Sequence, residues 1–324
     1  MNSSAAELRH ALADALRGVS EPELAAATAE LVARYRQPRA AARAILSSPA
    51  RVAAYAAYRM PATQAAMERI LGELADGGFR PRTMVDLGGG TGAAAWAAAG
   101  AFDTLESIVV LDQVAEALAL GKQLVAQATT PALQSARFER ALVGAVPAGT
   151  ADLVTASYVL SELSAAQTTM LLDDMMARGQ VAVIAEPGTP DGYARIIEAR
   201  RRFLADGWHL LGPCPHELDC PLGEGDWCHF AARVNRSAEH RRIKGAELSY
   251  EDEKFSWVAA AAPGAMEPTA RDSRILRHPS KRKGLVEFRV CRPDGSAGRA
   301  VVSKREGERY RAARDRVWGD RLRG

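Results

Sequence analysis

The stretch TMVDLGGGTGAAAWAAAGAF (residues 83–102) constrains the fold more than any other part of the chain. A short apolar run, 83–87, reads as a strand, a glycine loop follows, and an alanine-rich helix opens directly after it. The same alternation then repeats downstream. SIVVLDQ reads as a strand and VAEALALGKQLVAQA as a helix, ADLVTASYVL as a strand and TTMLLDDMMARG as a helix, and QVAVIAEPG as a further strand. Single apolar runs alternating with amphipathic helices predict an α/β fold, a parallel sheet covered by helices on both faces. Ahead of this core, residues 1–80 are rich in alanine at helical spacing, with breaks expected at Pro38 and Pro61 and a stop at Gly77 and Gly78.

A chain of 324 residues, 48% hydrophobic and 25% charged, can bury a full-sized core. It contains no run of eighteen apolar residues, and MNSSAAELRHALADAL carries polar and acidic residues where a signal peptide needs an apolar stretch. The expectation is a cytoplasmic protein without a membrane span, a monomer. In a reducing compartment its four cysteines point to metal binding, catalysis or plain burial rather than to disulfides.

The net charge of +3 is unevenly spread. Residues 265–324 hold 17 Lys/Arg against 8 Asp/Glu, so one end of the chain is strongly basic and the remainder is acidic. A solvated arginine-rich tail and a phosphate-binding surface both fit this pattern.

In DLGGGTG, Asp86 ends the strand, and Gly88, Gly90 and Gly92 leave a backbone that a ligand can approach. A dinucleotide pyrophosphate on the helix N-terminus is one reading of such a loop. Against it, the acid stands directly before the glycines and a second acid, Asp112, closes the next strand. This pair resembles that of class I S-adenosylmethionine methyltransferases, in which the loop takes the amino-acid end of the cofactor and the second acid accepts the ribose hydroxyls. Catalytic residues are not evident. The place after the strand ADLVTAS reads SYVLSEL, without the Asn/Asp-Pro-Pro-aromatic motif that holds a flipped base, although Tyr158 offers a ring and Glu162 a carboxylate. AEPGTPDGY has no nucleophilic cysteine.

Residues 214–230, CPHELDCPLGEGDWCHF, gather three of the four cysteines and two of the six histidines. The spacing C-x5-C-x7-C, with Cys291 far downstream in VEFRVCRPDG, lacks the short C-x2-4-C knuckles of structural zinc sites. Longer Pro- and Gly-rich gaps suit a larger object such as an iron–sulfur cubane. Zinc remains the alternative, with His216 and His229 as further ligands or as donors around the site.

Together AAYRMPATQAAMERIL, VDLGGGTGAAAWAA, SYVLSEL, AEPGTPDGY, PCPHELDCPL…DWCHF, YEDEKFSWVA and RVCRPDG resemble the methyltransferase-like small-ribosomal-subunit assembly proteins of mitochondria and their bacterial relatives. The resemblance implies a Rossmann-like methyltransferase sheet and a [4Fe–4S] cluster on Cys214, Cys220, Cys228 and Cys291. It also implies association with small-subunit rRNA during ribosome assembly. The organisation expected is a helical section (1–80), a Rossmann-like core (81–212), a cysteine-rich cluster-binding insertion (213–245), and C-terminal strands completing the core with a basic tail (246–324). SKRKG (280–284) and residues 302–324 become candidate phosphate contacts, with Tyr310 or Trp318 to stack on bases. Three activities follow as alternatives: an rRNA methyltransferase, a non-catalytic rRNA-binding assembly factor, or a cluster-dependent redox or iron sensor.

Overall fold

The structure, a computed structural model, describes residues 3–17, 20, 22, 24–29, 49–145, 149–223, 225–235, 250–266 and 271–323. The break expected at Pro38 and the 236–245 end of the cysteine-rich segment lie outside them. The chain forms two compact units: residues 1–185 with 232–253, and residues 186–231 with 254–324.

The first unit begins with α1 (Ser3–Ala15), α2 (Pro49–Tyr58) and α3 (Met60–Asp76). The break expected at Pro61 falls at Arg59, between α2 and α3, and Pro61 sits in the first turn of α3, where its missing N–H has no intrahelical partner to lose. Met60, Met67, Ile70 and Leu71 bury one side of α3, which packs on α4 (Ala93–Ala101). Helix α4 is alanine on nearly every side and buried from Ala93 to Ala98, so it reads as an interior helix rather than an amphipathic one.

The eight-stranded sheet is mixed rather than wholly parallel: five of its strands run parallel, with β1 (Thr83–Leu87) at their centre. After α4 the chain moves outward through β2 (Ser107–Asp112), α5 (Ala115–Val125), α6 (Pro131–Gln134) and β3 (Arg137–Arg140). It then returns to the other side of β1 with β4 (Ala151–Ser157), α7 (Ala165–Arg178) and β5 (Gly179–Pro187), giving the order β3-β2-β1-β4-β5. This is the doubly wound, Rossmann-like arrangement that the alternating pattern predicts. Strands β4 and β5 are buried almost continuously rather than at alternate positions, as strands covered on both faces must be. Reversal of direction between β1 and β4 opens a crevice at their carboxyl ends, the place where such sheets bind ligands. The sequence pattern missed β3: RFER carries only one apolar side chain, Phe138, and that one is buried.

The second unit contains α8 (Pro190–Ala205), β6 (His209–Gly212), the cysteine segment, and the end of β8 (Tyr250–Ala261), which pairs antiparallel with β6. Thr189 caps α8 by accepting from the Gly192 amide, and Pro190 occupies its first turn. β7 (Phe230–Asn235), like β8, is shared between the two units. The strands after β8 make a sheet of their own. β11 (Leu285–Cys291) pairs with β10 (Ser280–Arg282), β9 (Ser273–Ile275) and β12 (Ala297–Ser303), and β13 (Arg321–Leu322) adds to β9. Short helix α9 (Glu308–Ala313) closes over one side. Ile275, Val286, Phe288, Val290, Val302, Ala313 and Leu322 form its core. Among the described residues no helix is long and apolar enough to cross a membrane.

Phe288 is almost wholly buried at the centre of this small core. Phe288→Ala should lower the stability of the second unit by about 3–5 kcal/mol, the loss of transfer energy plus a residual cavity. Urea unfolding followed by tryptophan fluorescence measures it.

Candidate functional site

The glycine loop lies at the β1/β4 crevice and is built from both neighbouring strands. The Gly88 and Gly89 amides donate to the Leu111 carbonyl, at 2.8 and 3.2 Å, tying the loop to the end of β2. Gly88, Gly90 and Gly92 all have positive φ, at 67°, 55° and 86°, which a side chain would strain. At two of the three the missing Cβ also makes room for the protein itself. A Cβ on Gly88 would lie 2.6 Å from Val159, and one on Gly92 3.1 Å from the Phe138 ring.

Asp86 and Asp112 occupy different environments. Asp112, half-buried at the end of β2, accepts from the Gly90 amide (2.9 Å) and the Val114 amide (2.8 Å), so it holds the loop and the start of α5 together. Burial raises its pKa despite those amides. Asp86 has no exposed surface at all. One of its oxygens accepts from the Thr155 hydroxyl at 2.6 Å, and the other has no hydrogen-bond partner. Burial pushes its carboxyl up to about 7, with Asp112 adding to the effect. Asp86 thus stands fully buried directly ahead of the glycine loop, with one carboxylate oxygen unpartnered.

Next to the loop, at the end of β4, Tyr158 adopts a left-handed backbone with φ 59°, an uncommon conformation for a non-glycine residue. Its hydroxyl donates to Glu253 (3.1 Å), and the Arg59 guanidinium lies over its ring at 5.4 Å. Arg59 and Glu253 form a two-pronged ion pair at 2.9 and 3.1 Å. The ring expected to stack on a base is held inside this network. Glu162 stands exposed in the short 3-10 turn that follows.

In the second unit Cys214, Cys220, Cys228 and Cys291 all line one cavity, although Cys291 is 63 residues beyond Cys228. All four are free thiols, and β11 delivers Cys291 to the wall. Burial pushes the Cys228 thiol well up and Cys291 up to about 12, and mutual repulsion between the sulfurs adds to both. Cys214 is raised by burial too, opposed by Arg200. Among the described residues no three His, Cys, Asp or Glu side chains converge on a point that would enclose a single metal ion.

His216, expected as a ligand or donor, does stand beside a thiol, whereas sequence reading missed Tyr193, Arg200 and Arg274. The Tyr193 hydroxyl donates to Cys220 Sγ at 3.0 Å, and His216 Nε2 lies 3.3 Å from Cys291 Sγ. Arg200 and Arg274, both almost fully buried, stand on the same wall. The available signal was position: Tyr193, Ile196, Arg200 and Phe203 share one face of α8, so an arginine falls within an apolar stripe. His229 is not at the cavity wall. It stacks on Trp227, with centroids 5.2 Å apart, and meets the edge of Trp318 at 4.8 Å. Trp318 is therefore a buried packing residue between His229 and His278 rather than an exposed platform for a base. Tyr310 likewise packs against the small core.

A Rossmann-like domain followed by a unit that gathers four cysteines at one cavity defines the class of protein. Within it the chain belongs to the Rsm22 family, described as mitochondrial small ribosomal subunit Rsm22, which matches residues 49–323. The human mitochondrial ribosome assembly protein METTL17 is 31% identical over 287 residues, 83% of this chain and 61% of that protein. The mitochondrial Rsm22-cox11 tandem protein 2 of Schizosaccharomyces pombe is 27% identical over 188 residues, 44% of this chain and 24% of the yeast protein. The chain thus spans less than two thirds of either relative. Among solved structures, the magnesium protoporphyrin IX methyltransferase of Synechocystis PCC 6803 aligns with a TM-score of 0.39 at 11% identity, covering 71% of this chain and 90% of that one. The fold assignment rests on strand order and not on that likeness.

Asp86 generates a pH prediction with a definite sign. Its folded pKa is raised, so the stability it contributes is full below the ordinary carboxylate range and is lost as pH rises through about 7. Urea unfolding from pH 4 to 8 should show the first unit weakening by at most about 4 kcal/mol. Asp86→Asn, which mimics the protonated form, should flatten that slope; an equal slope in the variant would contradict the assignment.

Proposed function

We propose that this chain is an S-adenosylmethionine-binding, methyltransferase-fold factor that associates with small-subunit rRNA during ribosome assembly and carries a [4Fe–4S] cluster on Cys214, Cys220, Cys228 and Cys291. The observation that carries the reading is the meeting of all four cysteines at one cavity wall, in a chain whose family and human relative are named for the small ribosomal subunit and for ribosome assembly.

The donor set fits such a group. Buried thiols that repel one another gain from a cation between them, and neighbouring donors satisfy the remaining sulfur lone pairs. A single zinc needs its ligands gathered about one point at roughly 2.3 Å, whereas a cubane takes one thiolate on each separate corner. Four thiols spread along one cavity wall, with the long spacings between them, suit the larger group. When bound, the cluster supplies a cross-link between the cysteine segment and β11, and a one-electron redox centre. Cys291→Ser should lower iron content and destabilise the second unit, while S-adenosylmethionine binding is retained. Iron analysis and calorimetry on the same preparation check both halves.

For the cofactor, the backbone of Gly88–Gly92 and the half-exposed Asp112 carboxylate lie at the β1/β4 crevice. Asp112 spends one lone pair of each oxygen on an amide and keeps others for the ribose hydroxyls. Asp112→Ala should weaken binding by roughly 1.5–3 kcal/mol; unchanged affinity by calorimetry would remove the site. The enclosure of Tyr158 by Arg59 and Glu253 favours a specific form of the reading, in which the fold binds rRNA without transferring a methyl group. Incubation with labelled cofactor separates the two, since label in rRNA would establish transfer.

The phosphate contacts are best assigned to the β10–β11 hairpin. Lys281, Arg282 and Lys283 are exposed and make no ion pair among the described residues. The Lys304 amide donates to the Gly284 carbonyl, which brings Lys304 and Arg305 to the same end of the sheet. In α9 and just beyond it, by contrast, Arg309, Arg311 and Arg314 each have an acidic neighbour. Val302, Ala313 and Leu322 belong to the core, so removing residues 302–324 would disturb the fold and not charge alone. Reversing Lys281, Arg282 and Lys283 to Glu should weaken rRNA binding and lower the salt slope by about 0.7–0.9 per lost phosphate contact. An unchanged slope would return the hairpin to solvent.

A further inference from the structure

Helix α8 presents two polar groups to the thiol cavity from its otherwise apolar face. Tyr193 and Arg200 lie seven residues apart, two helical turns, and both line the cavity that holds the four cysteines. The Tyr193 hydroxyl donates to Cys220. Arg200 Nη2 donates to the carbonyls of His216 (3.2 Å) and Leu218 (2.5 Å). One side chain therefore shares the wall with the thiols and holds the loop between Cys214 and Cys220 in place.

Arg200 is 3% exposed and forms no ion pair among the described residues. Its Nε also has no hydrogen-bond partner. An isolated guanidinium buried among carbonyls and apolar side chains is costly unless an anion stands nearby. Among the described residues no Asp or Glu lines the cavity, and the thiols are the groups there that can carry negative charge. Four thiolates on a [4Fe–4S] core of charge +2, or on a zinc ion, leave a centre of net charge −2. Arg200, with Arg274 buried on the same wall, and the buried thiols complete one another when the thiols are ionised on a metal.

We infer that Arg200 is the counter-ion of the tetrathiolate centre and that Tyr193 is its hydrogen-bond donor, so that α8 sets how firmly the metal group is held and how readily it is reduced. The inference rests on the proposal that these cysteines hold a metal group, and it adds residues outside the ligand set. A positive charge and a hydrogen bond at thiolate sulfur both stabilise the more negative, reduced state of a cluster and raise its potential. Both also oppose loss of the metal by stabilising the thiolates.

The test uses the full chain, prepared anaerobically as wild type, Tyr193→Phe, Arg200→Met and Arg200→Lys. Metal content, the rate of metal loss to a chelator and the midpoint potential are measured on each. Tyr193→Phe removes one oxygen and should keep its metal at a more negative potential. Arg200→Met should lose metal about tenfold faster or more, also at a more negative potential, and Arg200→Lys should recover most of both. Should Arg200→Met fail to fold, Tyr193→Phe and Arg200→Lys carry the test. If the centre is zinc, the release rates alone decide. Wild-type metal content with unchanged potential and release rate in Tyr193→Phe and Arg200→Met would overturn the roles of α8 and leave the metal site standing. Wild-type protein without iron or zinc would overturn the site, and these roles with it.

Discussion

Burial of Arg200 beside four thiols is the constraint on which the second unit turns. The guanidinium belongs to a helix whose remaining inward residues, such as Ile196 and Phe203, are apolar, and it is almost completely removed from water. Such a charge demands compensation. The cysteine segment and β11 bring sulfur to the same cavity wall from two places far apart in the chain, and the carbonyls of His216 and Leu218 accept from Arg200 Nη2. The antiparallel sheet around β11 then serves as the rigid support that holds Cys291 at the wall.

The first unit solves a different problem with the same economy of buried charge. Strand order fixes a crevice between β1 and β4, and Asp86 stands directly ahead of the glycine loop with its carboxyl raised by burial and only Thr155 to satisfy it. Asp112 fastens the loop from the neighbouring strand. The glycines serve the fold as much as any ligand, because Val159 and Phe138 occupy the space where side chains at 88 and 92 would go. Beside them the Arg59–Glu253 pair encloses Tyr158 at the end of β4.

The legible parts of the sequence were those written in local pattern. The strand at 83–87, the following glycine loop and the α/β alternation need only apolar period and turn residues to be read, and they appear at or within a few residues of the expected places. Strand β3 escaped because RFER has almost no apolar content and owes its place to its neighbour β2. The cysteines stood out by clustering, but their meeting with Cys291 depends on the path of β9 and β11, which no spacing rule contains. Tyr193, Arg200, Arg59 and Glu253 were invisible for the same reason: each takes its meaning from a partner 14 to 194 positions away. Trp318 was misjudged because an aromatic in a basic tail looks exposed until the packing of His229 and His278 around it is seen.

The central claim, that the four cysteines hold a cubane of iron and sulfide, is tested most directly by the composition of the wild-type protein. Purified without oxygen, the chain should contain about four irons and four acid-labile sulfides per molecule, show a broad absorption shoulder in the visible that bleaches on reduction, and contain little zinc. Stoichiometric zinc without iron, or neither metal in a folded protein, would contradict it.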